Sequence, residues 1–111
     1  MPSTESKDRL HGTLDALVLK TLSWGSRHGY AIARWLEETT GNAIQVEEGS
    51  LYPALHRIEG LGWISSVWKT SASNRRVKLY SLTAAGRRQL ASEMDDYERM
   101  NAAIRTVLRT A

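Results

Sequence analysis

The stretch GSLYPALHRIEGLGWI, residues 49–64, decides how the rest of the chain is read. Leu51, Leu55, Ile58 and Leu61 recur at steps of four, three and three, the spacing of one apolar helical face. On such a helix Ser50, Pro53, Arg57 and Gly60 fall on the opposite face, with Tyr52 and His56 beside them. Ser50 offers a cap, so a start near Gly49-Ser50 is predicted. Pro53 is tolerable because it then lies in the first turn, where backbone N–H groups have no helical partner. Gly60 and Gly62 end the helix. The outer face is therefore small and polar, and the apolar face lies behind it.

Immediately downstream the period changes from 3.6 to 2. Residues 63–70 and 76–82 are rich in Trp, Val, Ile, Thr and Tyr. Ser71-Ala72-Ser73-Asn74 lies between them as a small polar turn, so a two-stranded hairpin is predicted. Its second strand alternates, with Val77, Leu79 and Ser81 on one side and Arg76, Lys78 and Tyr80 on the other. Thr83 is a good N-cap for a last helix running from Ala84 to about Arg109, roughly 39 Å at 1.5 Å per residue. Leu90, Met94, Tyr97, Asn101, Ile104 and Leu108 form a heptad seam along it. Asn101 can pair across a dimer and fix register. Alternatively, Met100 packs and Asn101 faces water. A helix of this length outruns the small body beside it, and the surplus points to a second chain.

Upstream, the polar residues 1–9 read as a flexible arm. Leu10, Leu14, Leu17, Val18, Thr21 and Leu22 mark a first helix, stopped by Trp24-Gly25-Ser26. A second helix is predicted from about His28 to Thr40, with Ile32, Trp35 and Leu36 as its buried stripe and Gly41 as its stop. Residues 42–48 look irregular, with Ile44 and Val46 suggesting a short extended piece. Trp24 and Trp35 read as core or dimer contacts. One of Trp63 and Trp68 is expected to anchor the hairpin to the body.

The 111 residues suit one domain, and 41% hydrophobic with 24% charged residues marks a globular chain. The absence of cysteine excludes a disulfide scaffold, a cysteine nucleophile and thiolate zinc sites. His11, His28 and His56 lie on separate elements without metal-ligand spacing, so no metal is expected. No glycine-rich phosphate loop, nucleophile elbow or paired carboxylate site is present, so neither enzyme nor cofactor is expected. The N-terminus lacks a secretory apolar stretch and no run spans a membrane, so a cytoplasmic location is expected. The net charge of +3 is unevenly spread. Between Gly49 and Arg88 stand Arg57, Lys69, Arg75, Arg76, Lys78, Arg87 and Arg88 against Glu59 alone, a net of +6. Clustered cations of this kind fit a polyanion. Arg87 and Arg88 sit at the positive end of a helix dipole, which points to a phosphate partner or to a role in solubility.

Three helices, a basic hairpin and a last long helix make a mainly α fold with a β wing: a winged helix-turn-helix over residues 10–82 and a dimerisation helix over 83–111. In that layout the third helix enters the major groove and the wing touches backbone or minor groove. The chain also resembles the PadR family of bacterial transcriptional regulators. The resemblance rests on HGYAIARWLEE at 28–38, GSLYPALHRIEGLGWI at 49–64, NRRVKLYSLTAAGRRQL at 74–90, and Leu14 to Leu22 of the first helix. It implies a homodimeric repressor on a pseudo-palindromic operator in double-stranded DNA. Tyr30, Ser50, Leu51, Tyr52, His56 and Arg57 fall at positions the family uses in or around DNA contact, and Asn74, Arg75, Arg76 and Lys78 on its wing. It implies that the first and last helices build the dimer interface, here through Leu14, Leu17, Leu90, Met94, Tyr97, Asn101, Ile104 and Leu108. With a C-terminal region of one helix only, the chain is similar to the small-type branch, some members of which bind flat aromatic compounds at that interface. Tyr97 is the one aromatic residue this helix offers to such an effector. The rival readings are a winged helix that docks another protein and a small-molecule sensor at the dimer interface.

Overall fold

The computed structural model describes residues 2–111, with side chains from residue 13 onward. Helix α1 spans Pro2–Ser23, β1 Arg27–His28, α2 Gly29–Thr39 and α3 Glu48–Gly60. Strands β2 (Ile64–Thr70) and β3 (Arg76–Leu82) follow, then α4 (Ala84–Leu108). The arm expected over residues 1–9 lies outside the residues whose side chains are described. Among the described residues no helix is long and apolar enough to cross a membrane.

The apolar faces of the first three helices meet in one core. Val18, Leu19 and Leu22 of α1 pack with Ile32 and Leu36 of α2 and with Leu51, Leu55 and Ile58 of α3. Thr21 lies fully buried among them and satisfies its hydroxyl by donating to the Leu17 carbonyl, 2.8 Å away within the same helix. Ile64, Tyr80 and Leu90 close the core from the wing and from α4. Burial, followed by the charges of Glu59 and Tyr52, raises the Tyr80 hydroxyl above its ordinary pKa of 10.0.

Helix α3 begins at Glu48 with Glu47 as its N-cap, three residues before the expected cap at Ser50. Ser50 lies inside the first turn and donates its N–H to the Glu47 carbonyl at 3.0 Å. The helix stops as expected: Gly62 takes φ +82°, which places its own N–H on the Glu59 carbonyl and the Trp63 N–H on that of Ile58. This closure feeds Trp63 onto the core, where it anchors the hairpin.

The hairpin pairs in the register Thr70↔Arg76 to Ile64↔Leu82. The sheet nevertheless has three strands in the order β1-β3-β2, because Arg27 and His28 add to the outer edge of β3 opposite Tyr80 and Leu79. Two residues are too few to show a period-two signal, so β1 was not expected. Ser26 and Ser81 join hydroxyls at 2.6 Å at its start, and His28 Nδ1–H donates to the Lys78 carbonyl at 3.0 Å. The extended piece expected around Ile44 and Val46 is not a strand; the Ile44 N–H is held by the Thr40 hydroxyl at 3.0 Å in a loop.

Thr83 caps α4 as expected. Its hydroxyl oxygen accepts the Gly86 N–H at 3.0 Å while its O–H donates to the Gly62 carbonyl at 2.7 Å. Gly86 is required by close approach, since a Cβ there would lie 2.0 Å from the Trp63 carbonyl oxygen. Leu90 packs against the body and is 7% exposed, whereas Leu108 at the far end is 77% exposed. Trp35 is half-buried, with the Arg27 guanidinium 5.7 Å from its ring. Trp24 is not a core residue: it stands 68% exposed at the end of α1, beneath the Lys20 ammonium at 5.4 Å.

Candidate nucleic-acid interface

Helix α3 turns Leu51, Ala54, Leu55 and Ile58 inward and leaves Gly49, Ser50, Tyr52, Pro53 and His56 on its exposed face. Leu51 is therefore a correction to the expected contact set. Its side chain is fully buried, so it can seat the helix but cannot touch a ligand outside. Arg57 is only half-turned to solvent, its side chain 37% exposed. Its guanidinium donates from Nη2 to Oδ1 of Asp15, a buried carboxylate on α1. It flanks the helix toward the body rather than leading its outer face.

The other charged residue near the end of α3 is also engaged. Glu59 accepts from the Ser66 hydroxyl at 2.6 Å and lies 3.9 Å from Lys78 Nζ, which ties the helix to the base of the wing. From Gly49 to His56 the exposed face thus carries no lysine or arginine. Hydrogen-bonding capacity there comes from Ser50, Tyr52 and His56.

Cations are concentrated on the wing. Trp68, more than half exposed, is flanked by the Arg76 guanidinium at 5.0 Å and Lys78 Nζ at 5.4 Å from its ring, within cation–π range. Opposite pairing of Trp68 and Lys78 in the hairpin explains their meeting. At the tip, Asn74 takes φ +64° and donates its N–H to the Ser71 carbonyl at 2.9 Å, while the Ser71 N–H donates to the Arg75 carbonyl at 2.7 Å. Asn tolerates the left-handed region better than most side chains. Asn74 therefore shapes the turn, and Lys69 and Arg75 stand exposed beside it.

Between the wing and the start of α2 and α3 lies a cleft of about 400 Å³. It brings together four of the expected residues, Tyr30, Tyr52, Arg76 and Lys78, and adds His28, Trp68 and Tyr80. The Tyr52 ring lies across Gly29, where an added Cβ would come within 2.8 Å of Cε1. Tyr30 stacks on His28 with centroids 6.2 Å apart. Ser50 and His56 lie outside the cleft on the open face of α3, and Asn74 and Arg75 lie beyond it at the wing tip. Trp68 was signalled only as one of two hairpin anchors. Its place beside two cations follows from hairpin register, which the alternation alone does not fix.

On the opposite side, the seam residues divide. Leu14 and Leu17 are half-buried against the core, Asn101 is half-buried, and Met94, Tyr97, Ile104 and Leu108 are exposed. A groove of about 370 Å³ between α1 and α4 is lined by Lys20, Trp24, Leu90 and Met94, and includes Arg87.

The fold is similar to that of a transcriptional regulator from Clostridium thermocellum, at 25% identity with a TM-score of 0.81, covering 89% of this chain and 96% of that one. It is similar too to a PadR family transcriptional regulator from Eggerthella lenta, at 29% identity with a TM-score of 0.80, covering 99% of this chain and 93% of that one. An uncharacterised protein of Lysinibacillus sphaericus is 26% identical over 90 residues, 81% of this chain and 83% of its own length. The profile of the transcriptional regulator PadR-like family matches residues 18–92, from the core of α1 through the first turns of α4. With α2, α3, the wing and the cap of α4 all inside that match, the chain belongs to the PadR-like family of transcriptional regulators.

Proposed function

We propose that this regulator is a sequence-specific repressor that binds a pseudo-palindromic operator in duplex DNA as a homodimer, in the bacterial cytoplasm. The observation that carries the reading is the division of labour on one face. A helix with a small, polar, cation-free outer surface stands beside a wing bearing Lys69, Arg75, Arg76 and Lys78. Helix α3 reads base edges in the major groove through Ser50, Tyr52 and His56, while the wing supplies the phosphate contacts. Tyr30 and the cleft beneath the wing flank the DNA backbone between the two.

The exposed apolar stripe of α4, with Met94, Tyr97, Ile104 and Leu108, favours pairing with a second copy, because contiguous apolar patches on small proteins mark interfaces. Trp24 and the groove beside it are then covered or lined by the partner. Symmetry sets the two reading helices about 34 Å apart, one turn of DNA. A small aromatic effector in the α1–α4 groove is a second reading, favoured by the exposed indole of Trp24 between Lys20 and Met94.

The test is selection of duplexes from a random-sequence pool by the purified chain, followed by gel-shift titration over salt. Enrichment of an inverted repeat, with affinity falling steeply as salt rises, is the expected result. Equal retention of all sequences, or affinity independent of salt, would overturn it.

A further inference from the structure

The charged pair at residues 57 and 59 lies on the last turn of α3, yet both side chains turn away from the open face. Arg57 reaches back to Asp15, 42 residues earlier on α1, and Asp15 is 6% exposed. Glu59 reaches the other way, to Ser66 and Lys78 at the wing base. Helix α3 is therefore gripped on opposite flanks by directional bonds. The apolar contacts beneath it, through Leu51, Leu55 and Ile58, set which face turns inward, and the bonds on its two flanks set the finer roll of the helix within that seat. A half-buried ion pair such as this one contributes little net stability in general, but its geometry is specific.

We propose that Asp15 is a positioning residue for DNA recognition: through Arg57 it fixes the roll of α3, and so sets where Ser50, Tyr52 and His56 meet the base edges. The proposal rests on the DNA-reading function above. Base readout tolerates only small misplacements of the reading groups, whereas phosphate contacts from the wing do not depend on the roll of α3. Loss of the pair therefore lowers discrimination and leaves non-specific grip in place. A direct role for Arg57 on phosphate makes the opposite forecast, since it would weaken binding to every sequence and reduce the salt slope.

The experiment compares the wild-type chain with Asp15→Asn, Arg57→Gln and the double variant. The probes are the duplex enriched from a random pool by the wild-type chain and a scrambled duplex of the same composition. Asp15→Asn is expected to weaken binding to the enriched duplex about tenfold or more, with the scrambled duplex within about twofold and the salt slope unchanged. The double variant is expected to lie near the weaker single variant, because the two changes share the Arg57–Asp15 pair. A salt slope reduced by about one in Arg57→Gln would overturn the proposal, as would an unchanged discrimination ratio in Asp15→Asn. If circular dichroism shows Asp15→Asn unfolded, Arg57→Lys decides: it keeps the charge without the guanidinium fork, and a retained wild-type ratio overturns the proposal. Failure of the wild-type chain to enrich any duplex defeats the DNA-reading function and this inference together. Enrichment with an unchanged Asp15→Asn ratio defeats the inference alone.

Discussion

Gly86 shows how one missing methyl group can hold two elements together. The Trp63 carbonyl passes so close to it that a Cβ would sit 2.0 Å away, with Leu82 Cδ1 at 2.6 Å. The obstacle is mainly backbone, so it cannot swing aside as a flexible side chain would. Gly86→Ala should therefore destabilise the fold by about 2–3 kcal/mol despite the better helix propensity of alanine, read as a lowered urea midpoint. Tyr80 makes a different forecast. Its folded hydroxyl binds its proton more tightly than in the unfolded chain, so the folded state holds more protons as pH passes above the ordinary value of 10.0. Stability from this group is present below that pH and is lost as pH rises through the raised folded value. Tyr80→Phe should trim the high-pH end of the tyrosinate absorbance titration.

Among the elements, α4 and the wing carry separate tests. Thr83→Ala removes an oxygen that accepts from Gly86 and a hydroxyl that donates to Gly62, and should cost about 1 kcal/mol in a thermal melt. Arg75→Ala and Arg76→Ala should each weaken binding to any duplex and lower the salt slope by about one, leaving the preferred sequence unchanged. These elements were also the most legible in the sequence. Thr83, the alternation of Arg76 to Leu82 and the run of Leu51 to Leu61 are local signals, and the boundaries they imply agree with the fold to within two residues. What was not legible depends on distant partners. β1 exists because β3 has a free edge, and the inward turn of Arg57 depends on Asp15 across the core. Glycine signals gave the end of α3 correctly, whereas the start moved to Glu48 because the chain enters from an extended Glu47 rather than through a side-chain cap. Of the expected interface, Tyr30, Tyr52, Arg76 and Lys78 came together around one cleft. Leu51 did not, since a residue on the apolar stripe of an amphipathic helix goes to the core even inside a functional motif.

For the whole molecule, the apolar stripe of α4 sets the expected assembly. Ile104→Glu and Leu108→Glu place charges on that stripe, and each should shift sedimentation toward the monomer while leaving the core helices folded. The melting temperature of the unaltered chain should rise with protein concentration, and that rise should vanish in these variants. The cation-free outer face of α3 has a consequence for how such a regulator can change. Under the proposed function, grip resides in the wing and choice resides in a few uncharged side chains. Substitutions at Ser50, Tyr52 or His56 can then redirect the protein to another operator while its overall hold on DNA stays nearly constant. New target sequences become reachable by single steps that never pass through a form unable to bind.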